Sequence, residues 1–394
     1  MEAAARKKVK KKSSRSGFWA NMWTKGGVDI PFLILIFVLL TIGLIMLLSA
    51  SYSYSYYYED GDSLYYFKRQ IVFAVIGVTA MFIISKLNYN YFRLLAWPML
   101  VVVTGLLVLV LVLPASFGDF HRWINLGPLS FQPSELAKVA IVIFCAYKME
   151  QEHEKLRVST KEMWKYLILT LLYAGLVFAE NHVSGAILVG ALGVIMMFLG
   201  GVKMRWFVIG AVIAVAAVAL VIVKPEILPS HAEERIIAWL DKEYEPRNAR
   251  WQINQSLYAI GSGGLMGAGL GQSKQKHLYV SEPQNDFIFA IVCEELGFIG
   301  ALVIILLFAL LVWRGFVVAM RAPDRFGSLL VMGLISQVGL QVALNICVVT
   351  DTIPNTGIGL PFFSYGGTSL CVLLAEMGMI LAVSRRSVIG KSQK

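Results

Sequence analysis

The sequence predicts an all-α integral membrane protein with ten transmembrane helices, both termini in the cytoplasm and one long extracellular loop. Three observations support this prediction: 57% of the 394 residues are hydrophobic, only 15% are charged, and the apolar residues are gathered into recurring runs. Soluble domains average about 25% charged residues. A chain of this composition is therefore a polytopic membrane protein, whose length is taken up by spans of about 20 residues each.

Ten apolar runs account for the predicted spans. They cover residues 30–50, 70–85, 94–115, 134–148, 164–180, 183–200, 205–223, 286–313, 327–350 and 369–384. The first run is too long for the hydrophobic region of a signal peptide and many others follow it, so we expect a retained helix. The four cysteines all lie within apolar runs and lack metal-ligand spacing. We expect them to be small core residues.

Basic residues predict the orientation of these helices. The basic connectors lie near Lys86, at 148–165, at 203–205 and at 314–325, and both tails are basic as well. Because positive residues favour the cytoplasmic side, all these segments belong there, which requires an even number of helices. Beside a first span, a basic run retains that end inside more often than it binds nucleic acid, so we expect no nucleic-acid partner. The resulting division is a basic cytoplasmic tail at 1–29, a membrane domain at 30–385 and a cytoplasmic tail at 386–394.

One long polar segment, residues 224–285, separates the seventh and eighth predicted helices. Lipid does not accept such a segment, because unsatisfied backbone and charged groups are costly there, so we place it outside the cell. Its glycine run at 261–271 follows Arg250, which suggests phosphate binding, but no Gly-Lys-Ser/Thr sequence closes a P-loop. The alternative is backbone that closely approaches a ligand or a neighbouring helix. Arg250 is a candidate substrate-binding residue.

A second polar group precedes the fourth helix. Pro133 predicts a helix that starts at Ser134 as its N-cap, which places Glu135 and Lys138 on one face. A carboxylate and an ammonium group that lie one helical turn inside the membrane are costly unless they pair with each other or face a cavity. They form either a structural ion pair or the floor of a polar pocket, with Arg122 above it for an anionic group. The neighbouring Trp123 fits either such a pocket or the aromatic belt of the membrane interface.

Asp286 stands where the polar segment gives way to an apolar helix. Its simplest role is a helix N-cap. A carboxylate at a membrane mouth beside aromatic residues also tends toward a raised pKa, which suits a general base. Glu294 and Glu295 lie deeper in the same helix and need partners, for which Lys138 is a candidate; we expect these two glutamates to be structural.

The last loop, residues 350–369, contains two prolines, four glycines and several hydroxyl groups. This composition predicts an ordered, non-helical loop. Near a membrane surface, such backbone is tolerated where it lines a water-filled cavity. We therefore include Ser364 of this loop among the candidate substrate-binding residues.

Taken together, these stretches resemble the SEDS family of cell-wall synthesis proteins, which includes FtsW and RodA. The matching pieces are Arg122 to Ile124, Gln132 to Glu135, Gln255 to Leu257 with the glycine run, Asn285 to Phe289, and Val348 to Thr350 with 354–367. The resemblance covers about 30–385 and implies ten transmembrane helices with both ends cytoplasmic. It also implies a peptidoglycan glycosyltransferase that polymerises lipid II on the outer face of the bacterial cytoplasmic membrane, beside a class B penicillin-binding protein.

The resemblance also implies roles for single residues. Asp286 matches the essential aspartate of the family, and Trp123 matches its tryptophan in the second outer loop. Arg122, Glu135 and Lys138 match other commonly retained positions. The chain departs from the family at 180–185, where many members have Pro-Asp-Leu-Gly-Thr, and at Asp351, where glycine is common. Both departures put metal or substrate roles of those loops in doubt.

The expected reaction joins the C4 hydroxyl of one lipid II to the anomeric carbon of another chain, with release of undecaprenyl pyrophosphate. Asp286 is the expected general base, and a single displacement inverts the anomeric centre. The leaving group needs positive charge from Arg122, Lys138, an arginine of the outer loop or a divalent cation, Mg²⁺ or Mn²⁺. Holding that metal is the alternative role for Asp286.

Two other functions stay open. A lipid II flippase would use the buried polar residues as a transport path, although no inverted pair of interrupted helices is evident. A scaffold would only recruit division or elongation proteins. The basic N-terminal tail favours a role in cell division over elongation or sporulation, with other divisome proteins and membrane lipid as further partners.

Overall fold

The computed structural model describes residues 24, 26–113, 122–126, 129–227, 230–244 and 250–387. The predicted basic tail lies almost wholly outside these residues, as does most of the predicted C-terminal tail. The described chain is mostly α-helix, as predicted, and contains one short antiparallel hairpin.

The helices follow the predicted apolar runs closely. In chain order they are α1 (Ile30–Tyr58), α2 (Tyr65–Lys86), α3 (Asn90–Val112), α4 (Pro133–Gln151), α5 (His153–Val158), α6 (Thr160–Ala179), α7 (Val183–Gly200), α8 (Met204–Val223), α9 (Ser230–Leu240), α10 (Trp251–Gly263), α11 (Ile288–Met320), α12 (Arg325–Val349) and α13 (Gly367–Ser384). The hairpin strands are β1 (Ile124–Leu126) and β2 (Leu129–Phe131), and a 3₁₀ turn covers Pro225–Ile227.

Nine helices in the described ranges are long and apolar enough to cross a membrane. The tenth predicted run, 134–148, forms α4, which carries four charged residues and is not among the nine. This helix is buried along most of its length and packs against α3, α7 and α12. Because other helices surround α4, it has no outward face that must be apolar, and its charged residues can face the interior of the bundle.

Two capping carboxylates tie one end of the bundle together. Asp29 accepts a hydrogen bond from the Phe32 amide at 3.0 Å at the start of α1, and Arg314 binds it at 2.8 Å. Asp324 caps α12 in the same way and pairs with Arg93 at 2.6 Å. Each carboxylate thus satisfies free amides of a helix start and a cation from another helix.

Two predicted helix starts differ from the structure. Helix α4 begins at Pro133 rather than after Ser134, and its N-cap position is Gln132, whose side chain makes no capping bond. Proline is favoured at a first helical position because its missing N–H would be unpaired there anyway. Helix α11 begins at Ile288 with Phe287 at the cap position, so the N-cap role for Asp286 is wrong.

The glycine run of the long loop packs its backbone against α11. A Cβ atom at Gly263 or Gly267 would collide with backbone atoms of Cys293 and Glu295. Helix α11 is interrupted at Gly297, which has a φ of 67°. The carbonyls freed by this kink accept hydrogen bonds from Ala268 and Gly269 at 2.9 and 3.0 Å. Of the two interpretations of the glycine run, close approach to a neighbouring helix is the one observed.

The two glutamates of α11 find their partners in the long loop, not at Lys138 as proposed. Glu294 accepts hydrogen bonds from the Ser273 hydroxyl and from the Lys274 amide, the latter at 2.9 Å. Glu295 pairs with Lys276 at 2.9 Å, and both side chains are at most 5% exposed. These carboxylates therefore fasten the loop to the bundle, which agrees with the expected structural role.

Candidate functional site

A cavity of about 540 Å³ lies among α4, α12, α13, the segment that precedes α11 and the loop that joins α12 to α13. It contains the predicted catalytic residue and five of the six predicted substrate-binding residues. They are Asp286, Arg122, Trp123, Glu135, Lys138 and Ser364. These residues come from four distant parts of the chain, so the fold brings together what the sequence presents as separate motifs.

Asp286 is held at this cavity by its backbone. The side-chain amide of Asn345 donates to the Asp286 carbonyl at 2.8 Å and to the Ile358 carbonyl at 2.6 Å. This single amide therefore joins α12, the start of α11 and the last loop. Gly357 of that loop faces the Asp286 carboxylate, and a Cβ there would lie 3.3 Å from Oδ2. A larger residue at 357 would narrow the space in front of the carboxylate.

Burial raises the pKa of Asp286 to about 6, and the nearby carboxylate of Glu282 adds to the rise. The positive charges of Arg235 and Arg122 oppose it. A carboxyl group with this pKa is mostly ionised at neutral pH, yet it is a stronger base than an ordinary aspartate. These are the properties that a general base needs near neutral pH.

Glu135 and Lys138 form the predicted ion pair on the cavity wall, with Nζ 3.0 Å from a Glu135 oxygen. Lys138 also approaches the Gln341 side chain at 3.4 Å, and Ser369 donates to Glu135 at 3.1 Å. Lys138 has a side chain only 4% exposed, against 15% for Glu135. The two interpretations of this pair are compatible, because the same residues pair with each other and line the cavity.

Arg122 and Trp123 lead directly into the β-hairpin, which places them beside the turn between α6 and α7. Arg122 donates to the Asn181 carbonyl in that turn. Burial lowers the pKa of Arg122 to about 10, and the charge of Arg235 lowers it further. Arg122 therefore stays protonated at neutral pH and supplies a positive charge to the cavity.

Ser364 has a structural task within the last loop. Its hydroxyl donates to the Asn285 carbonyl at 2.7 Å and accepts from the Leu360 amide at 2.7 Å. Ser364 therefore fixes the residue next to Asp286, and its direct contact with a substrate stays a prediction.

The turn that departs from the family motif contains two titratable groups, Glu180 and His182. Glu180 is fully buried, and neither of its oxygens has a hydrogen-bond partner among the described residues. Burial raises its pKa to about 8, while Arg122 opposes the rise. His182 lines the cavity, and burial together with the charges of Arg122, Lys138 and Arg235 lowers its pKa to about 3. His182 is therefore neutral at the cavity wall.

Arg250 does not lie at the cavity, which corrects its predicted role in substrate binding. It is 2% exposed and pairs with Asp351 at 2.5 Å. Asp351 stands where glycine is common in the family. Its carboxylate supplies the partner that the buried guanidinium of Arg250 needs. The pair is structural, because a buried guanidinium with a carboxylate partner is not available to a ligand.

Three functional candidates were missed in the sequence. The positive charge of Arg235 in α9 lowers the pKa of Asp286. Gln337 and Glu376 lie deep in the cavity, where Gln337 donates to Glu376 at 2.9 Å. A carboxylate inside the last apolar run was a visible signal for Glu376. Nothing in the sequence distinguished Arg235 from the other arginines of its loop.

The comparison with known families decides the relationship. A family model described as "Cell cycle protein", which covers FtsW, RodA and SpoVE, matches residues 31–388. The chain belongs to the FtsW/RodA/SpoVE family. This confirms the resemblance inferred from the motifs.

Two relatives illustrate the family match. Stage V sporulation protein E of Bacillus subtilis is 41% identical over 372 residues, which cover 93% of this chain and 100% of that protein. The probable peptidoglycan glycosyltransferase FtsW of Trichlorobacter lovleyi is 36% identical over 82% of this chain and 84% of its own length.

Two solved structures have the same fold as this chain. A chain from a peptidoglycan synthase complex, studied for the coordination of polymerization and crosslinking, gives a TM-score of 0.76 at 27% identity, over 91% of this chain and 98% of that one. The rod shape determining protein RodA of Thermus thermophilus gives a TM-score of 0.68 at 27% identity, over 92% and 98% of the two chains.

Proposed function

We infer that this protein is a peptidoglycan glycosyltransferase that polymerises lipid II into glycan strands on the outer face of the cytoplasmic membrane during cell division. The observation that carries this inference is the cavity in which Asp286, with a pKa raised to about 6, lies with Arg122, Lys138 and Trp123. A relative of the same family is named a probable peptidoglycan glycosyltransferase, which supports the reaction class.

In the proposed mechanism, Asp286 takes the proton of the attacking C4 hydroxyl. A sugar hydroxyl is a poor nucleophile near pH 7, and a positioned base typically contributes about 10²–10⁴-fold. The hydroxyl oxygen bonds to the anomeric carbon as the bond from that carbon to the pyrophosphate oxygen breaks. The electron pair leaves with undecaprenyl pyrophosphate, and the anomeric centre is inverted without a covalent enzyme intermediate.

The pyrophosphate leaving group meets positive charge from Arg122 and Lys138. Such preorganised charge stabilises the transition state more than the ground state, because the negative charge grows as the bond breaks. Lys138 remains partly neutralised by Glu135, so Arg122 carries the larger share. Trp123 lines the same cavity, where an aromatic side chain can pack against a sugar or an isoprenoid unit.

A divalent cation, Mg²⁺ or Mn²⁺, fits this site only together with a substrate. The described residues include no group of three or more metal-ligating side chains. Mg²⁺, however, is commonly held by one or two carboxylates and substrate phosphates, a set that Asp286 and the diphosphate would supply. When bound there, the ion would neutralise charge on the leaving group.

We propose ten transmembrane helices with both termini in the cytoplasm, with α4 as the tenth. The long loop between α8 and α11 then lies outside, with the cavity mouth at the same surface. The nine apolar helices of the described ranges and the buried α4 support this count. Cysteine labelling with a membrane-impermeant reagent tests it: a cysteine at Lys242 should be labelled from outside, and one at Arg321 only after permeabilisation.

Polymerisation of purified lipid II tests the reaction. We expect glycan strands from the wild type, alone or with a class B penicillin-binding protein, and none from Asp286→Ala or Asp286→Asn. Asp286→Asn is the sharper variant, since it keeps the shape of the side chain and removes only the base. Thr104→Val, in α3 away from the cavity, serves as the matched control. Normal turnover by Asp286→Asn with intact folding would refute the assignment of the base.

A lipid II flippase is the second candidate. Gln337 and Glu376 favour it, because they line the cavity deep inside the bundle where polar groups often mark transport paths. Lipid II in detergent separates the two functions, since no second compartment exists there. Glycan product requires an enzyme, whereas a flippase would yield none.

We propose a class B penicillin-binding protein and other divisome proteins as partners. A neighbour with the same fold comes from a peptidoglycan synthase complex, which supports the first of these. Co-purification with each class B protein of the same cell, followed by polymerisation by the complex, would identify the partner. Localisation to the division septum would test the division role against elongation and sporulation.

A further inference from the structure

The outer end of α1 carries a group of tyrosines that the proposed reaction does not use. Helix α1 has 29 residues and is about 43 Å long at a rise of about 1.5 Å per residue. The hydrocarbon core of a bilayer is only about 30 Å thick. Because Ile30 lies at the cytoplasmic end in the proposed topology, the last turns of α1 emerge on the outer side. Their tyrosines are Tyr52, Tyr54, Tyr56, Tyr57 and Tyr58.

A second, smaller cavity of about 210 Å³ lies between this end of α1 and the long loop. The Ser53 hydroxyl and Nδ1 of His277 form a hydrogen bond at 2.8 Å, which joins the two walls. We call this cavity the tyrosine groove. Its described lining residues include no carboxylate, ammonium or guanidinium group; they are Tyr52, Ser53, Tyr56, Tyr57, His277 and Leu278. Such a lining suits an uncharged ligand that has both apolar faces and hydroxyl groups.

A chain of tyrosine rings connects the tyrosine groove with the central cavity, which contains Asp286. Tyr365 lines the central cavity, and its ring centroid lies 4.9 Å from that of Tyr66. The ring of Tyr66 contacts that of Tyr54 at 6.0 Å, and Tyr54 contacts Tyr58 at 4.5 Å. Tyr58 in turn contacts Tyr57 of the groove at 5.2 Å. These are normal separations for packed aromatic rings, so the side chains form one continuous aromatic path.

Tyrosines at this height are also typical of the aromatic belt of a membrane interface. Belt tyrosines direct their hydroxyls to lipid headgroups and water, whereas two hydroxyls of this group are bound within the protein. Tyr66 donates to Glu59 at 3.0 Å, and the neighbouring Tyr65 accepts from Arg69 at 2.6 Å. Arg69 itself lines the central cavity. The rings are therefore held in place at the cavity mouth, which favours a binding surface over a belt.

We propose that the tyrosine groove and its ring chain bind the glycan strand where it leaves the central cavity. The proposal rests on the proposed transferase function, which makes a chain of linked sugars in that cavity. Sugar rings have apolar C–H faces that pack on aromatic rings, and their hydroxyl and amide groups can bond to the tyrosine and serine hydroxyls. A strand held in the groove between additions stays with the protein, so the groove favours long products.

A soluble oligomer of N-acetylglucosamine with the linkage of the glycan strand is the probe, because it lacks the diphosphate, the lipid and the peptide. Its binding to the full-length protein in detergent is measured by saturation-transfer NMR titration. We expect Tyr57→Ala to weaken binding by about 3- to 10-fold, as expected for the loss of one aromatic contact. Tyr57→Phe should keep most of the affinity, because it keeps the ring.

Tyr258 provides the matched control. It is 60% exposed on α10, against 69% for Tyr57, and lines neither cavity. Tyr258→Ala should therefore bind the oligomer as the wild type does. Equal binding by Tyr57→Ala and the wild type would overturn the proposal and assign these tyrosines to the aromatic belt. Absence of binding by the wild type would overturn it as well.

The length of the glycan strands tests the connection to the central cavity. Tyr57→Ala and Tyr66→Ala should both give shorter strands than the wild type, because a weakly held strand dissociates between additions. Tyr66→Phe should restore the length, and Tyr258→Ala should not shorten the strands. Thermal unfolding reports whether Tyr66→Ala folds, and Tyr66→Leu is the milder substitute if it does not. Strands of wild-type length from a folded variant that lacks the Tyr66 ring would overturn the role of the ring chain.

These measurements separate the strand site from the reaction. If the wild type binds the oligomer through Tyr57 but makes no glycan from lipid II, the saccharide site stands and the proposed reaction fails. If the wild type makes glycan and Tyr57→Ala binds the oligomer normally, the reaction stands and the site is wrong.

Discussion

The pH dependence of glycan synthesis provides a direct test of Asp286 as the base. With its pKa raised to about 6, roughly nine-tenths of this carboxyl is ionised at pH 7 and roughly one-tenth at pH 5. Only the carboxylate can accept the proton of the attacking hydroxyl. The rate should therefore fall roughly tenfold between pH 7 and pH 5, measured as kcat/KM on lipid II in detergent.

Two substitutions should move this acid limb in opposite directions. The charge of Glu282 raises the pKa of Asp286, so Glu282→Gln should move the limb to lower pH. Arg235 opposes the rise, as Arg122 does, so Arg235→Ala should move the limb to higher pH. Arg235→Lys and the control Lys242→Ala should leave it in place. A flat profile of kcat/KM from pH 5 to pH 8 would refute the reasoning. So would a shift of the acid limb in the same direction for Glu282→Gln and Arg235→Ala.

Three further predictions concern stability and packing. Glu180 has a pKa of about 8 in the folded protein against an ordinary value of 4.5. The free energy of unfolding of the wild type should therefore fall as the pH rises between these values, by up to about 1.4 kcal/mol per pH unit. Glu180→Gln should remove this slope in unfolding experiments at pH 5 to 8. Glu135→Gln should destabilise the protein by about 3–5 kcal/mol, because it leaves Lys138 charged and buried. Adding Lys138→Met to this variant should recover part of the lost stability. Additive losses in the double variant would argue against the pair. Gly267→Ala should lower the melting temperature and loosen the long loop, since a Cβ there meets the backbone of α11; unchanged protease resistance of the loop would contradict this.

The sequence predicted the elements of this fold well because hydrophobic runs and basic connectors are local signals. Each of the ten apolar runs lies largely in a long helix. The start of α11 was harder, since Asp286 has the residue type and the location of an N-cap. The helix begins two residues later because Asn345 and the last loop hold the Asp286 backbone outside it.

The site was predicted only in part, because residue type does not reveal a partner. Glu135 and Lys138 were found because their spacing fixes them on one helix face. Arg250 and Arg235 stand on the same loop, and the sequence offered no means to tell the buried one from the exposed one. The role of Arg250 depends on Asp351, a residue about 100 positions away along the chain, which only tertiary structure places beside it.

The kink at Gly297 divides α11 into unequal arms, and the shorter arm ends next to Asp286. The inner end of that arm is hydrogen-bonded to the glycine run, whose backbone sits too close for any side chain to intervene. We therefore expect the short arm to move together with the long loop. The carboxylate of Asp286 is then sensitive to the position of the long loop as well as to the residues of the cavity.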